Sequence, residues 1–319
     1  MHVRVQSCIA VTPRVNVYAL AATSGRPLPP YAPGAHIRVR VTATNGMQEL
    51  RSYSLIDPYD PAQPYRIAVQ REHEGQGGSV YFHDHVKAGT EIDILPPSNH
   101  FPLNPQARHS ILIAGGIGIT PIFCMAKQLQ SQAQSYELHY AGRSIPEMAL
   151  HAEVTTSLAP CWRIYTDDEH AQSGMSCADI LSGYQPGHHV YVCGPAGLIQ
   201  AVRELAQEHG WPESAIHFEL FSNPLAKQAK DGDIAVELRQ TGITLLVQAG
   251  TSILDAVAAA GIDCDYDCKV GECGACLTKV IDGVPLHRDF YLNEKERQKG
   301  DAMCTCVSWA SSEKLVLDL

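Results

Sequence analysis

The stretch Cys268-Lys269-Val270-Gly271-Glu272-Cys273-Gly274-Ala275-Cys276, with Cys306 thirty positions further on, decides how the chain is read. Its spacing is C-x4-C-x2-C with a distant fourth cysteine, a pattern in which four thiolates hold a [2Fe–2S] cluster. Three sulfurs must converge on one inorganic core from a single loop, so the backbone has to curl around it. Gly271 and Gly274 suit that demand, because glycine tolerates positive φ and close backbone approach. Cys264 and Cys304 flank the set and read as small, buried or partly buried residues; the gap of 29 residues after Cys276 selects Cys306. A zinc site is the competing reading, but structural zinc usually pairs two C-x2-C turns and this region has one.

Six of the eleven cysteines lie between 264 and 306. An odd count, and a start (Met1-His2-Val3-Arg4-Val5) with no long apolar run, speak against a secreted disulfide framework. A reducing, cytoplasmic setting is expected. No run of 18 apolar residues appears, so no membrane-spanning helix is expected. The formal net charge is −10, and the segment from Asp231 onward holds fifteen acidic and eight basic residues. So acidic a chain does not suit nucleic acid, whose phosphates need Lys and Arg; a basic protein surface suits it better.

At 319 residues the chain has room for two or three domains. Residues 1–103 alternate apolar and polar positions at period two, as in Val3-Arg4-Val5, His36-Ile37-Arg38-Val39-Arg40-Val41 and Tyr65-Arg66-Ile67-Ala68-Val69. Pro29-Pro30 and Asn45-Gly46 punctuate them, so a small antiparallel β-barrel is expected. Residues 104–225 change rhythm. Ile111-Leu112-Ile113-Ala114 leads into glycines and a helix from Pro121 to Gln130, and His189-Val190-Tyr191-Val192-Cys193 leads into Gly194-Pro195 and a helix to Glu208. Strand–loop–helix units imply a parallel α/β sheet. Residues 226–232 read as a linker. Residues 233–319 read as a small α+β domain, with a hairpin at Thr241-Gly242, a helix from Ile253 capped by Thr251 or Ser252, a short helix capped by Asn293, and a closing strand Lys314–Leu317.

Four further stretches carry chemistry. Arg51-Ser52-Tyr53-Ser54 offers a fork of donors for a phosphate, a flat aromatic face and a hydroxyl; taken singly these are ordinary half-exposed strand residues. Gly75-Gln76-Gly77-Gly78-Ser79 opens a helix, where backbone N–H groups attract phosphate, although alone it is a plain loop. Gly115-Gly116-Ile117-Gly118-Ile119-Thr120-Pro121 sits between strand and helix. It lacks the G-x-G-x-x-G fingerprint, yet it brings side-chain-free backbone to a helix N-terminus. Cys193-Gly194-Pro195 follows the later strand; a buried structural cysteine is the plain alternative there.

Together these motifs resemble the phthalate dioxygenase reductase family, which includes the vanillate O-demethylase and carnitine monooxygenase reductase components. The C-terminal part resembles a plant-type ferredoxin with a β-grasp fold, whose Cys-Val-Ala-Tyr closing stretch is similar to Cys306-Val307-Ser308-Trp309. The resemblance implies a flavin barrel, a nicotinamide domain and a ferredoxin in that order. It implies FMN, with FAD the second choice, and NADH, with NADPH open because only Arg143 stands near the expected adenosine end. It assigns Arg51, Ser52, Tyr53, Ser54, Gly77, Gly78 and Ser79 to the flavin. Gly115, Gly116, Gly118, Thr120, Cys193, Gly194 and Pro195 go to the nucleotide, with Thr120 reaching toward the flavin and Ser54 and Cys193 nearest the reacting atoms. Thr166–Asp168 are expected at the ribose. Phe221 is expected near the flavin ring, with core packing as its alternative. Cys268, Cys273, Cys276 and Cys306 go to the cluster. The implied activity is that of an NADH-dependent reductase feeding a Rieske-type oxygenase.

Two other readings stay open at this point: a flavin and iron–sulfur carrier or redox sensor for a different acceptor, and a zinc-stabilised binding protein. His83 and His85 are not expected to bind metal, and His188-His189 are read as turn surface.

Overall fold

The computed structural model describes residues 1–42, 46, 48–72, 77–168, 174–226 and 231–319. Asn45, Gly75, Gln76 and linker residues 227–230, all named above, lie outside them. The chain divides into two compact units, Met1–Glu219 and Leu220–Leu319.

The first unit opens with β1 (His2–Thr12), β2 (Val15–Ala22), β3 (His36–Thr42), β4 (Gln48–Ser54), β5 (Tyr65–Gln70), α1 (Gly78–His85) and β6 (Glu91–Asp93). The sheet β5-β2-β1-β6 and the hairpin β3–β4 are antiparallel. Bridges from His36 to Ser98, Val39 to Ile94 and Leu55 to Ile67 curl them into a barrel-like enclosure. The alternation seen in the sequence is what fills it. Ile37, Val39 and Val41 of β3 point inward and are almost wholly buried, while Arg40 between them is exposed. Phe82 of α1 plugs the barrel against Tyr18, with ring centroids 5.2 Å apart.

The same unit continues with β7 (His109–Gly115), α2 (Ile119–Ser131), β8 (Tyr136–Gly142), α3 (His151–Ser157), β9 (Trp162–Thr166), α4 (Cys177–Leu181), β10 (His188–Cys193), α5 (Ala196–Glu208) and β11 (Ile216–Glu219). All five strands are parallel, in the order β11-β10-β7-β8-β9. The central strand β7 is apolar without alternation because the sheet is covered on both faces. The winding reverses between β7 and β10. In open α/β sheets that reversal leaves a crevice at the strands' carboxyl ends, where ligands bind. An ion-pair lattice ties the barrel to the helices: Asp57 meets Arg66 at 3.0 Å and Lys127 at 2.6 Å, and Arg66 meets Glu153 at 2.7 Å.

Two expectations need correction. The helix after the glycine loop spans Ile119–Ser131 and so starts before Pro121, which stands in its first turn where a missing N–H costs nothing. His188-His189 are strand residues of β10 rather than turn surface. His189 Nδ1 lies 2.9 Å from His217 Nε2, and His217 stacks on Tyr191 at 4.6 Å. Burial, and then His189, pulls the pKa of His217 down to about 4.

The second unit holds β12 (Ile234–Leu238), β13 (Ile243–Val247), α6 (Ile253–Ala259), β14 (Leu277–Asp282), β15 (Pro285–Leu286), α7 (Glu294–Lys299), β16 (Ala302–Cys304), β17 (Trp309–Ala310) and β18 (Lys314–Leu317). Its main sheet runs β13-β12-β18-β14-β16, with β12 and β18 parallel and the other pairs antiparallel. Helix α6 buries Ile253 and Val257 in the same core as Val236, Leu315 and Leu317, a β-grasp arrangement. Of the two candidate caps, Ser252 fills the role, accepting from Asp255 N at 3.0 Å. Asn293 and Glu296 form a reciprocal capping box on α7. Among the described residues no helix is long and apolar enough to cross a membrane.

A buried ion pair anchors the start of this unit. Both guanidinium nitrogens of Arg288 bond Asp231, at 2.6 and 2.7 Å, with each side chain 6% exposed. Removing one partner strands the other charge away from water. Asp231→Ala should therefore cost about 3–5 kcal/mol, read as a lower urea midpoint for the unfolding of this unit; an unchanged midpoint would show that water reaches the pair.

Candidate functional site

The cysteine loop runs from the end of α6 to β14. Val270 N, Glu272 N and Cys273 N each point at Cys268 Sγ at 3.4 Å, and Cys268 N lies 3.5 Å from Cys273 Sγ. That curl requires Gly271 at φ +81° and Gly274 at φ +74°. A Cβ on Gly271 would stand 2.5 Å from Val307 Cγ2, and one on Gly274 would stand 2.3 Å from the Tyr291 ring. The outer wall is fixed by Asp289, which accepts from Leu292 N at 2.8 Å and from Ser308 Oγ at 3.1 Å. Asn223 laces the loop from behind, donating to Val270 O at 3.0 Å and Arg288 O at 2.8 Å.

The thiols stand in two groups. Cys268 and Cys273 face each other, each sulfur accepting from the other's backbone N–H, and Cys276 shares a buried cluster with Cys304 and Cys306. Hydrogen bonds from these neighbours pull the pKa of Cys273 and Cys276 below the ordinary thiol range, against the opposing effect of burial. A loop whose N–H groups aim at sulfur fits a thiolate-ligated cluster, while the same neighbouring sulfurs and burial push the Cys268 and Cys306 thiols up. The donors offset the negative charge that the core and its ligands bring.

In the barrel, Arg51, Ser52, Tyr53 and Ser54 lie on β4. Gly78 opens α1 next to Arg51: a Cβ there would stand 2.9 Å from Arg51 Cγ. The Arg51 side chain thus lies across the first turn of α1, entered through Gly77 at φ +87°, and that turn contains no acidic residue. A guanidinium beside the open N–H groups of a helix start is an arrangement that could hold a phosphate. Glu49 pairs with Arg51 and holds its guanidinium in place. The Ser79 hydroxyl is already engaged, accepting from Glu72 N at 3.0 Å. The Tyr53 ring sits edge-on to Phe82 at 5.1 Å, and burial raises its pKa.

In the α/β half, the two predicted loops meet at the winding reversal. A Cβ on Gly118 would stand 2.2 Å from Cys193 O, one on Gly115 2.7 Å from Pro195 Cδ, and one on Gly194 2.9 Å from Gly115 Cα. Three of the four glycines are therefore demanded by the close packing of one loop on the other. Gly116, at φ +55° and with nothing within 4 Å of where a Cβ would stand, is the one facing open space. Cys193 is wholly buried, and the Thr120 hydroxyl donates to Ile117 O at 3.0 Å.

One residue escaped the sequence reading. Glu219 ends β11 beside Cys193 in register, and its carboxylate lies 3.5 Å from Ser54 Oγ, with both side chains buried. Barrel and sheet thus bring Ser54, Glu219 and Cys193 to one place. Nothing in the Glu219 context marks it; a buried carboxylate at a strand's carboxyl end becomes visible only once the sheet order is known. Phe221, in the second unit, is 43% exposed, which rules out core packing within that unit.

Comparison with known proteins agrees with this architecture. Residues 236–311 match the 2Fe-2S iron-sulfur cluster binding domain, and residues 90–216 match the N-terminal domain of dimethylamine monooxygenase subunit DmmA-like proteins. The chain is 38% identical to the vanillate O-demethylase oxidoreductase of Pseudomonas sp. strain HR199, over 92% of this chain and 91% of that one. It is 36% identical to the heme-dependent oxidative N-demethylase beta subunit of Ectopseudomonas mendocina, over 100% and 99%. The solved structure of phthalate dioxygenase reductase, titled a modular structure for electron transfer from pyridine nucleotides to [2Fe-2S], superposes with a TM-score of 0.80 at 33% identity, covering 100% and 98%. Matched in sequence over more than nine-tenths of its length and in fold over all of it, this chain belongs to the phthalate dioxygenase reductase family of oxidoreductases.

Proposed function

We propose that the chain is the reductase component of an oxygenase system, drawing electrons from NADH through FMN and a [2Fe–2S] cluster. The observation that carries this reading is the meeting of Ser54, Glu219 and Cys193 at the winding reversal, in a chain that also holds the four-cysteine loop. When bound, the flavin turns a two-electron supply into single electrons and the cluster carries them one at a time. We divide the chain into a flavin module 1–103, a nucleotide module 104–225, a linker 226–232 and a ferredoxin module 233–319.

Arg51, with the N–H groups of Gly78 and Ser79 entered through Gly77, would hold the flavin phosphate. Ser52 and Tyr53 would flank the ring, the tyrosine by packing on its face. Ser54, donating to Glu219, would hold a hydroxyl proton at the reactive edge, and the burial of both groups excludes water from it. Gly116 would let the dinucleotide backbone approach the N-terminus of α2. Gly115, Gly118 and Gly194 keep the loops close enough to form that cradle, while Thr120 and Pro195 border it and Cys193 backs the nicotinamide. Asp167 and Asp168 follow the carboxyl end of β9, and carboxylates there disfavour the added phosphate of NADPH. Phe221 is assigned to the flavin by the family resemblance alone. Cys268, Cys273, Cys276 and Cys306 would hold the cluster.

A Rieske-type oxygenase is the partner favoured by the likeness to vanillate O-demethylase oxidoreductase. The relative named as a subunit of a heme-dependent N-demethylase supports a second reading, with a heme oxygenase as acceptor. The acidic segment from Asp231 onward suits a basic docking face in either case. A pull-down with the holoprotein, followed by iron-centre spectroscopy of the captured oxygenase, separates the two.

Two substitutions test the division of labour. Cys276→Ser should reduce cluster-dependent electron delivery to background while leaving NADH-driven reduction of the flavin intact; loss of both steps would contradict modular transfer. Tyr53→Ala should remove stacking worth about 0.5–1.5 kcal/mol and so weaken flavin retention roughly two- to tenfold. Unchanged flavin content after dialysis would contradict the stacking role.

A further inference from the structure

One further side-chain network adjoins the meeting point of Ser54, Glu219 and Cys193. It begins at Asn104, where the chain crosses from the barrel to the sheet. The Asn104 amide is oriented by its own neighbour: Oδ1 accepts from Gln106 N at 2.9 Å, which turns Nδ2 toward His189 Nε2 at 3.2 Å. An amide NH2 can only donate, so His189 Nε2 is a lone-pair acceptor and its proton sits on Nδ1. His189 Nδ1 lies 2.9 Å from His217 Nε2, which must accept in turn. Both imidazoles are therefore neutral, and the network sets their tautomers. The backbone N–H of Asn104 adds a second tie, donating to Tyr191 OH at 2.8 Å, and His217 stacks on that same tyrosine. Two residues further along these strands, on the same sheet face, stand Cys193 after Tyr191 and Glu219 after His217.

We propose that His189 and His217 are positioning residues for flavin reduction: as neutral rings they tie the crossing at Asn104 to the strands that carry Cys193 and Glu219, and a proton added to either ring opens the tie. This rests on the reading of that meeting point given above. A proton on His189 Nε2 would face the Asn104 NH2, and one on His217 Nε2 would face His189 Nδ1–H. Each sets donor against donor. The titratable groups on the same face are Tyr191 on β10, Glu219 on β11, and Cys124 and Lys127 on α2, which packs on β10. Glu219 is turned to Ser54 and Lys127 to Asp57. Arg203 of α5 lies over Phe218, and His188, His109 and Glu137 stand together, on the opposite face of the sheet. Among the described residues no carboxylate pairs with either ring of the relay, so an added proton meets no counter-charge. Burial lowers the pKa of both rings, and His189 further lowers that of His217, to about 4. An opened ring with the ordinary value of about 6.5 takes up a proton more readily. The tie is therefore complete above that pH and is lost as pH falls from about 6.5 toward 4.

Stopped-flow mixing of holoprotein with NADH, from about pH 5 to about pH 8, reads the rate of flavin reduction. The limiting rate of the unchanged protein should fall several-fold on the acid side while the flavin stays bound. His217→Gln places an acceptor where Nε2 stood and cannot take up a proton; it should keep most of the neutral-pH rate and fall less steeply in acid. His217→Phe keeps a ring on Tyr191 but offers no acceptor. It should be several-fold slower at neutral pH, with half-saturation by NADH changed much less than the limiting rate. If the phenylalanine variant does not fold, Asn104→Ala, which removes the other end of the relay, carries the same expectation. An acid-side fall as steep in His217→Gln as in the unchanged protein overturns the proposal, and so does a full neutral-pH rate in His217→Phe or Asn104→Ala. Nitrogen NMR spectra of histidine-labelled holoprotein give a readout independent of electron transfer: both rings should be neutral at neutral pH with the proton on Nδ1, and a proton on Nε2 of either ring overturns the relay. The expected tautomers in a protein whose flavin NADH reduces at no pH would instead overturn the proposed function, and the positioning role with it.

Discussion

Three sulfurs can leave one short loop and converge only if the backbone between them turns its N–H groups inward, and that geometry has no room for side chains at two places. Gly271 and Gly274 occupy them, at positive φ and pressed against Val307, Asp289 and Tyr291. Much of the second unit serves this one constraint. Asp289 orders the wall through Leu292 and Ser308, Asn223 ties the loop from behind, and the β14–β16 pairing delivers the fourth sulfur on Cys306. Without the inward N–H groups, thiolates gathered in a buried site would repel one another uncompensated.

The first unit repeats the principle with different chemistry. There the close approach is between two loops, Gly115–Gly118 and Cys193–Pro195, and the glycines serve first to let peptide planes touch. The consequence is a crevice at the winding reversal, into which Gly116 opens and onto which Ser54 and Glu219 converge from barrel and sheet. The ion pairs among Asp57, Arg66, Lys127 and Glu153 hold the two halves in that relation. A hydride acceptor and its donor need a fixed separation, because misplacement by about 1 Å can cost on the order of 100-fold in rate.

Much of this was legible in the sequence, and for identifiable reasons. Period-two alternation in His36–Val41 and the unbroken apolar run Ile111–Ala114 report two different kinds of strand directly. Ser252 and Asn293 mark helix starts by chemistry that acts within a few residues. What stayed hidden depends on contacts distant in sequence. Glu219 gains its meaning from Ser54, 165 positions away, and His217 from Tyr191 and His189. The glycines at 115, 118 and 194 looked like ligand-contact positions, and their packing role needed the sheet order.

On the proposed function, this single chain takes electrons from NADH in pairs and releases them singly through its cluster. Mixing holoprotein with NADH under anaerobic conditions, while following flavin absorbance and freeze-quenched EPR, tests it most directly. Flavin bleaching should be followed by the EPR signal of a reduced [2Fe–2S] cluster in the same molecules. Flavin that stays oxidised, or that is fully reduced while the cluster remains EPR-silent, would contradict it.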